Sequence, residues 1–200
     1  LNRAVATSDE ETKNSVSKDL KAREDYNTGI EWMKKNDLEK ALTYFEKAVK
    51  RDDKFAFAWD NIGVCNRKLG NYEAALNAYN KSLELDPTGI TPLQNIPVVY
   101  QYQKKYDKAL KAYEKLQEIY PEDPEGFYGA AIVYLNHQVD LEKALQSICK
   151  AYNIYVSAGS PYRVDAEKII NYIYGKMKEE KKEKRFYEIL KENHINPSEK

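Results

Sequence analysis

Cysteine and histidine are almost missing from this chain, with two of each in 200 residues. Two cysteines cannot build a disulfide framework. Cys65 and Cys149 fall far apart in the sequence, and a disulfide needs Cα atoms within about 7 Å, so two buried, unlinked thiols are expected. His137 and His194 have no Cys or His at metal-ligand spacing around them, which speaks against a zinc site and leaves no metal or cofactor to expect. A glycine-rich phosphate loop and a nucleophile elbow are both lacking. The carboxylate pairs Glu10-Glu11, Asp52-Asp53 and Glu179-Glu180 stand in polar, turn-like contexts, where solvated charge is the expected role rather than acid-base work. The chain is therefore not expected to be an enzyme.

Charge of one sign is lacking too. Thirty-two basic residues balance 32 acidic ones, whereas a protein that tracks nucleic-acid phosphates carries a basic face, so no nucleic-acid partner is expected. No apolar run approaches the roughly 18 residues of a membrane span. The longest, GAAIVYL at 129–135, suits a buried helix, and no segment alternates apolar and polar residues as a strand would.

What is present is a core-forming composition set in a repeat. Apolar residues, 17 tyrosines among them, make up 42% of the chain, ample for a continuous core. Gly29, Ala41 and Phe45 recur 34 residues later as Gly63, Ala75 and Tyr79, then as Ala109 and Tyr113, then as Ala131, Ala144 and Ile148. Units so small cannot each bury an apolar face alone, so the register implies a solenoid of stacked copies. Ungapped, the first three units run 22–55, 56–89 and 90–123; the fourth, 124–158, carries one extra residue in its NHQVD turn.

Periodicity gives each unit its form. Trp59, Ile62, Gly63 and Asn66 advance by three or four residues, as do Ala75, Leu76, Tyr79, Ser82 and Leu83 after the GNY turn. Each set marks one helix face, so a unit is an antiparallel helical hairpin. Gly63 and Ala75 are expected where the helices approach closely, with Trp59 and Tyr79 filling a wider gap beside them. Asp86-Pro87 and Tyr120-Pro121 should end the second helices. Pro97 replaces the glycine of the third unit, and two readings stand. Either Thr91-Pro92 starts a helix that holds Pro97 in its interior, or the helix begins late, near Ile96.

Unit two, with Trp59, Ile62, Gly63, Ala75, Tyr79 and Pro87, resembles the tetratricopeptide repeat. Unit one keeps Gly29, Trp32, Ala41, Phe45 and Ala48; unit three keeps Leu93, Ile96, Tyr100, Ala109, Tyr113 and Pro121; unit four keeps Phe127, Ala130, Tyr134, Ala144 and Ala151. The resemblance implies an all-α, right-handed superhelical solenoid of four hairpins. Residues 1–21 form an N-terminal extension, expected to be helical from Ser8 through Glu10 and Glu11 to Val16 and Leu20. Residues 159–200 are expected to close the stack as a degenerate fifth hairpin. Ser160-Pro161 would start its first helix, Tyr162, Ala166, Ile169, Ile170, Ile173 and Met177 form the stripe, and Phe186, Ile189 and Leu190 mark its second.

The resemblance further implies a concave groove lined by positions 2, 5, 9, 12 and 13 of each unit. Position 9 is β-branched throughout: Ile30, Val64, Val98 and Ile132. Around it stand Tyr26, Met33 and Lys34, then Phe57, Asp60, Arg67 and Lys68, then Gln94, Gln101 and Tyr102, then Tyr128, Leu135 and Asn136. Apolar and aromatic anchors with a few polar groups suit a protein or peptide segment as partner. The same column would also suit packing against another part of the chain. Relatives that grip an acidic chaperone tail use a clamp of Lys and Asn, Asn, then Lys and Arg; those positions here hold Tyr26, Ile30, Asn61, Thr91 and Asn95. Only Asn61 matches, so that clamp is lacking. Two other uses stay open, a self-associating structural module (a homo-oligomer) and an accessory domain of a larger enzyme or secretion machine. A start at Leu1 fits a removed signal peptide or a truncated clone, so cytoplasmic and exported or periplasmic locations both stand.

Overall fold

A computed structural model describes residues 17–196, and every regular element among them is helical. In chain order these are α1 (Leu20–Lys34), α2 (Leu38–Arg51), α3 (Ala56–Lys68), α4 (Tyr72–Leu85), α5 (Ile90–Tyr102), α6 (Tyr106–Ile119), α7 (Pro124–Val133), a π-helical turn (Tyr134–Gln138), α8 (Leu141–Ser157), α9 (Arg163–Glu179) and α10 (Glu183–Glu192). The chain divides into two compact units, one ending at Val99 and the other starting at Tyr100. The division falls inside α5.

Short polar side chains set the helix starts. Asp19, Asp37 and Asp140 cap α1, α2 and α8 by accepting from the backbone amides of Ala22 (2.9 Å), Lys40 (3.1 Å) and Lys143 (3.0 Å). The helices end where the prolines require. α4 stops at Leu85 and α6 at Ile119, so Asp86 takes extended geometry and Tyr120 leaves the helical region before Pro87 and Pro121.

A left-handed residue closes the turn after each first helix: Asn36 (φ 59°), Gly70 (81°), Lys104 (58°), Val139 (52°) and Lys181 (60°). The first three keep the 34-residue spacing, and Val139 arrives one residue late. The extra residue of the fourth unit is absorbed before the turn rather than in it. It widens the last helical turn to the π-helical Tyr134–Gln138, closed by the Asp140 amide donating to the Tyr134 carbonyl at 3.0 Å. Lys181 closes the turn between α9 and α10, 42 residues after Val139 and so outside the 34-residue spacing.

In unit 1, α1, α2 and α3 enclose Ala41, Phe45, Ile62, Cys65 and Ala78, and a second cluster joins Ala22, Ala48, Phe55 and Ala58. The aromatics at the repeated position 24 do not fill a gap beside the glycines, as the sequence suggests. They lie on them: a β-carbon at Gly29 would come within 2.7 Å of the Phe45 ring, and one at Gly63 would enter the Tyr79 ring. Trp59 instead stays half-buried and donates its indole N–H to the Asp53 carbonyl at 2.8 Å. Both cysteines are free and buried, and burial pushes the Cys65 thiol up to about 11 and Cys149 up to about 12.

In unit 2 one core runs from Ala131, Ala144 and Ile148 through Ile170, Ile173 and Met177 to Phe186 and Leu190. The C-terminal helices thus bury the stripe read in the sequence, with two adjustments. α9 begins at Arg163 because Ser160 spends its hydroxyl on the Tyr162 amide (3.3 Å) and Pro161 and Tyr162 form a turn; Tyr162 remains 40% exposed. KEEKKEKR, 178–185, forms the end of α9, the turn and the start of α10, where Arg185 pairs with Glu142 and Glu192 at 3.0 Å.

Two further expectations are corrected. α5 begins at Ile90, directly after the Asp86 carboxylate holds the Thr88 amide and hydroxyl (3.0 and 2.8 Å), so Thr91 is not its cap. Pro97 is therefore an interior, buried helix residue and the late start is excluded. At the N-terminus, Ser8 to Val16 lie outside the described residues, and Leu20, 70% exposed, opens α1 instead of closing a separate helix.

Candidate functional site

Position 8 of each repeat is buried: Gly29, Gly63, Pro97 and Ala131. The next residue lies about 100° further round the helix, and Ile30, Val64, Val98 and Ile132 are all half-buried, neither in the core nor free of it. Three of the four belong to unit 1. At position 13, Lys34 and Lys68 in unit 1 and Tyr102 and Asn136 in unit 2 are exposed. Lys34 pairs with Glu31 at 2.8 Å.

Position 12 has a partner that sequence reading did not assign, the residue at position 24 of the same repeat. Met33 accompanies Phe45 and Leu135 accompanies Ile148, apolar with apolar within their clusters. Where position 24 carries a hydroxyl, position 12 is polar. Gln101 donates its side-chain N–H to the Tyr113 hydroxyl at 2.6 Å. Arg67 lies beside the Tyr79 hydroxyl, and its charge opposes the upward push that burial gives that phenol. The geometry for a hydrogen bond is not met there, so Arg67 Nε and Tyr79 Oη are buried and unpaired. The signal was in the sequence: Phe45, Tyr79, Tyr113 and Ile148 change in step with Met33, Arg67, Gln101 and Leu135.

Position 5 departs most from a surface reading. Tyr26 packs its ring on Phe45 (5.5 Å) and Phe55 (4.8 Å) and accepts from the Asn61 amide at 3.1 Å; burial pushes its hydroxyl up to about 12. Asp60 is only 6% exposed, so it lies beneath the face rather than on it. Burial pushes its carboxyl up to about 7, the Ser82 hydroxyl bond pulls the other way, and the Asp86 charge adds to the rise. Its Oδ1 has no partner. Gln94 and Tyr128 are half-buried, Tyr128 edge-on to Tyr155 at 6.4 Å. Phe57, at position 2, packs against the Ala22 cluster, and Leu135 packs on the unit 2 core.

In unit 1 Ile30, Met33, Val64, Arg67, Gln94 and Val98 are all half-buried residues of the first helices; in unit 2 Tyr128, Ile132 and Leu135 are half-buried, Gln101 is spent on Tyr113 and Tyr102 is exposed. Gly129 was missed. Tyr113 finds its gap there, on the first helix of the following repeat, and a β-carbon at Gly129 would enter the ring. His137 stacks on Tyr106 at 3.9 Å with ring planes 9° apart. No group of three or more metal-ligating side chains is found among the described residues, and no helix among them is long and apolar enough to cross a membrane.

Tetratricopeptide repeat family models match residues 33–55, 56–88 and 99–158, together more than half of the chain. Among solved structures, MamA RS-1 ArsTM double mutant is 18% identical with a TM-score of 0.71, over 89% of this chain and 97% of its own. MamA from residue 41 to its end, from Desulfovibrio magneticus RS-1, is 20% identical with a TM-score of 0.69, over 89% and 96%. A tetratricopeptide repeat protein from Parabacteroides merdae ATCC 43184 is 22% identical with a TM-score of 0.62, over 86% and 74%. At such identities the likeness is one of fold. A search of curated protein sequences finds no match. Helical hairpins in a 34-residue register, with Phe45 and Tyr79 each seated on a glycine of the preceding helix, and recognised by three models of one kind, assign the chain to the tetratricopeptide repeat family.

Proposed function

We propose that this protein is a non-enzymatic scaffold that holds an apolar segment of a partner protein or peptide on the first-helix faces of its repeats. The observation that carries the reading is the half-buried β-branched column. Single apolar residues scattered on a surface need no explanation. One β-branched residue at the same position of every repeat, always half-buried beside a buried position 8, is not scatter.

The face of unit 1 offers Ile30, Val64 and Val98 as the apolar row, with Met33, Arg67 and Gln94 beside it and Lys34 and Lys68 at the edge. The face of unit 2 offers Tyr128, Ile132 and Leu135, with Tyr102 exposed beyond them. Rows of this kind bind by burying a few anchors of the partner while the polar edge excludes water. Tyr26, Phe57 and Asp60 in unit 1 and Gln101 in unit 2 are held by their own packing and hydrogen bonds.

A peptide-display selection against the purified chain tests this, with the Val64→Lys/Val98→Lys double variant as counter-target. The reading expects enriched peptides rich in apolar residues that bind the parent protein and lose at least about tenfold in affinity on the double variant, since tenfold corresponds to about 1.4 kcal/mol. Peptides that bind both proteins equally would place the site elsewhere.

A further inference from the structure

We propose that Asp60 and Tyr79 form a proton-sensitive relay beneath the unit 1 face, which sets the position of the Arg67 guanidinium according to whether the Asp60 carboxyl carries its proton. Asp60 and Arg67 stand seven residues apart on α3, two turns along one face. The Tyr79 hydroxyl, from α4, feels the charges of both. Three polar atoms here lack a partner: Asp60 Oδ1, Tyr79 Oη and Arg67 Nε. Buried polar groups are nearly always paired, and an unpaired set in one hairpin calls for a second arrangement that pairs it.

The surroundings leave few ways to do so. α3 itself supplies only Arg67 and the neutral Cys65 thiol near Tyr79; α4 supplies Tyr79 and the Ser82 hydroxyl, which already bonds Asp60; the turn after α4 supplies Asp86, a like charge; α1 supplies the Tyr26 phenol, which feels the Asp60 charge. α5, the next helix of this unit, carries no Asp, Glu, Lys, Arg or His. Asp60 thus has no cation against it, and its charge is costly inside.

When Asp60 loses its proton to solvent, Oδ1 becomes a strong acceptor, and of the two phenols that feel its charge, Tyr26 and Tyr79, only Tyr79 also lies beside Arg67. The phenol then donates to Oδ1, and its oxygen, polarised by that bond, accepts from Arg67 Nε–H. All three orphans are paired, and the guanidinium is drawn down from the face. When Asp60 holds its proton, this chain has no charge to organise it and Arg67 is released. The second half of the chain has a counterpart in unit 2, where Gln101 at position 12 donates to the Tyr113 hydroxyl at position 24 at 2.6 Å.

An NMR titration of the whole chain from about pH 5 to 9 tests this, following the Asp60 carboxyl carbon and Arg67 Nε. Both signals are expected to move with one midpoint, near the value of about 7 to which burial raises the carboxyl. In Asp60→Asn the Arg67 response should vanish. In Tyr79→Phe, a residue that Phe45 already supplies at this position of the first repeat, Asp60 should still titrate while the Arg67 shift is lost. An Arg67 signal that stays still in the parent protein, an Arg67 response that survives in Tyr79→Phe, or an Asp60 carbon that does not titrate would each overturn the relay. No partner is needed for this titration, so its failure leaves the reading of the face standing.

Discussion

Asp60 makes the stability of unit 1 depend on pH in a direction opposite to that of an ordinary paired carboxylate. Burial raises its folded-state value to about 7, while an unfolded aspartate titrates near 3.9. Below about pH 4 both states hold the proton and nothing is lost. Between about 4 and 7 only the native state holds it, so stability falls as pH rises, and above 7 the full cost of the buried charge is present. Asp60→Asn mimics the protonated form. Urea melts should find it more stable than the parent by on the order of 2 kcal/mol at pH 8, with the gap closing toward pH 4. A gap that does not change with pH would refute the linkage.

A second residue stores strain in its backbone. Val139 closes the fourth first-helix turn at φ 52°, where Gly70 serves in the second repeat at 81°. A β-branched residue in this region costs about 1–2 kcal/mol. Val139 is 75% exposed, so Val139→Gly removes little packing. After the entropy that glycine gains in the unfolded chain, a net stabilisation of about 0.5–1 kcal/mol is expected in thermal melts. A lower melting temperature would mean that the valine side chain is held by contacts.

Two glycines of the helices should respond to alanine with opposite sign. Gly63 lies under the Tyr79 ring, so Gly63→Ala overpacks the α3–α4 hairpin by about 1–3 kcal/mol against a propensity gain of about 1. Gly175 of α9 has nothing within 4 Å of its missing β-carbon, so Gly175→Ala should stabilise by about 0.5–1 kcal/mol. Circular dichroism melts of the pair check this; equal effects would show that the ring contact does not decide the case. The hairpins themselves were legible in the sequence, because position 8, position 20 and position 24 recur in register and because proline forces the second helices to stop. What the register concealed was who meets whom. Tyr113 seats on Gly129 of the following repeat, which no within-repeat alignment pairs, and the extra residue near His137 widened a helix rather than a loop. Both outcomes depend on three-dimensional contacts that spacing alone does not encode. Pro97 illustrates the same limit, since two helix starts fitted the sequence and the Asp86 turn selected the earlier.

For the molecule as a whole, the column at position 9 was legible as a column, but its depth was not. The family resemblance placed Ile30, Val64, Val98 and Ile132 toward a groove, and the structure finds each half-buried. Position 5 illustrates why depth is harder to read: Tyr26 and Asp60 occupy equivalent positions, yet one is locked among Phe45 and Phe55 and the other is sunk beneath the face, because their neighbours across the hairpin differ. The central claim is that the column serves binding and not the core. The most direct measurement sets Val64→Lys beside Ile62→Lys, two residues apart on α3, in thermal melts and in titrations with a display-selected peptide. Ile62 is 5% exposed, and a lysine there should cost about 3 kcal/mol or more. Lysine at position 64 can carry its ammonium to water along its stem, so the account predicts a melting temperature within about 4 °C of the parent together with a loss of peptide affinity of about tenfold or more. A Val64→Lys protein that melts as early as Ile62→Lys, or that binds the peptide as tightly as the parent, would contradict it.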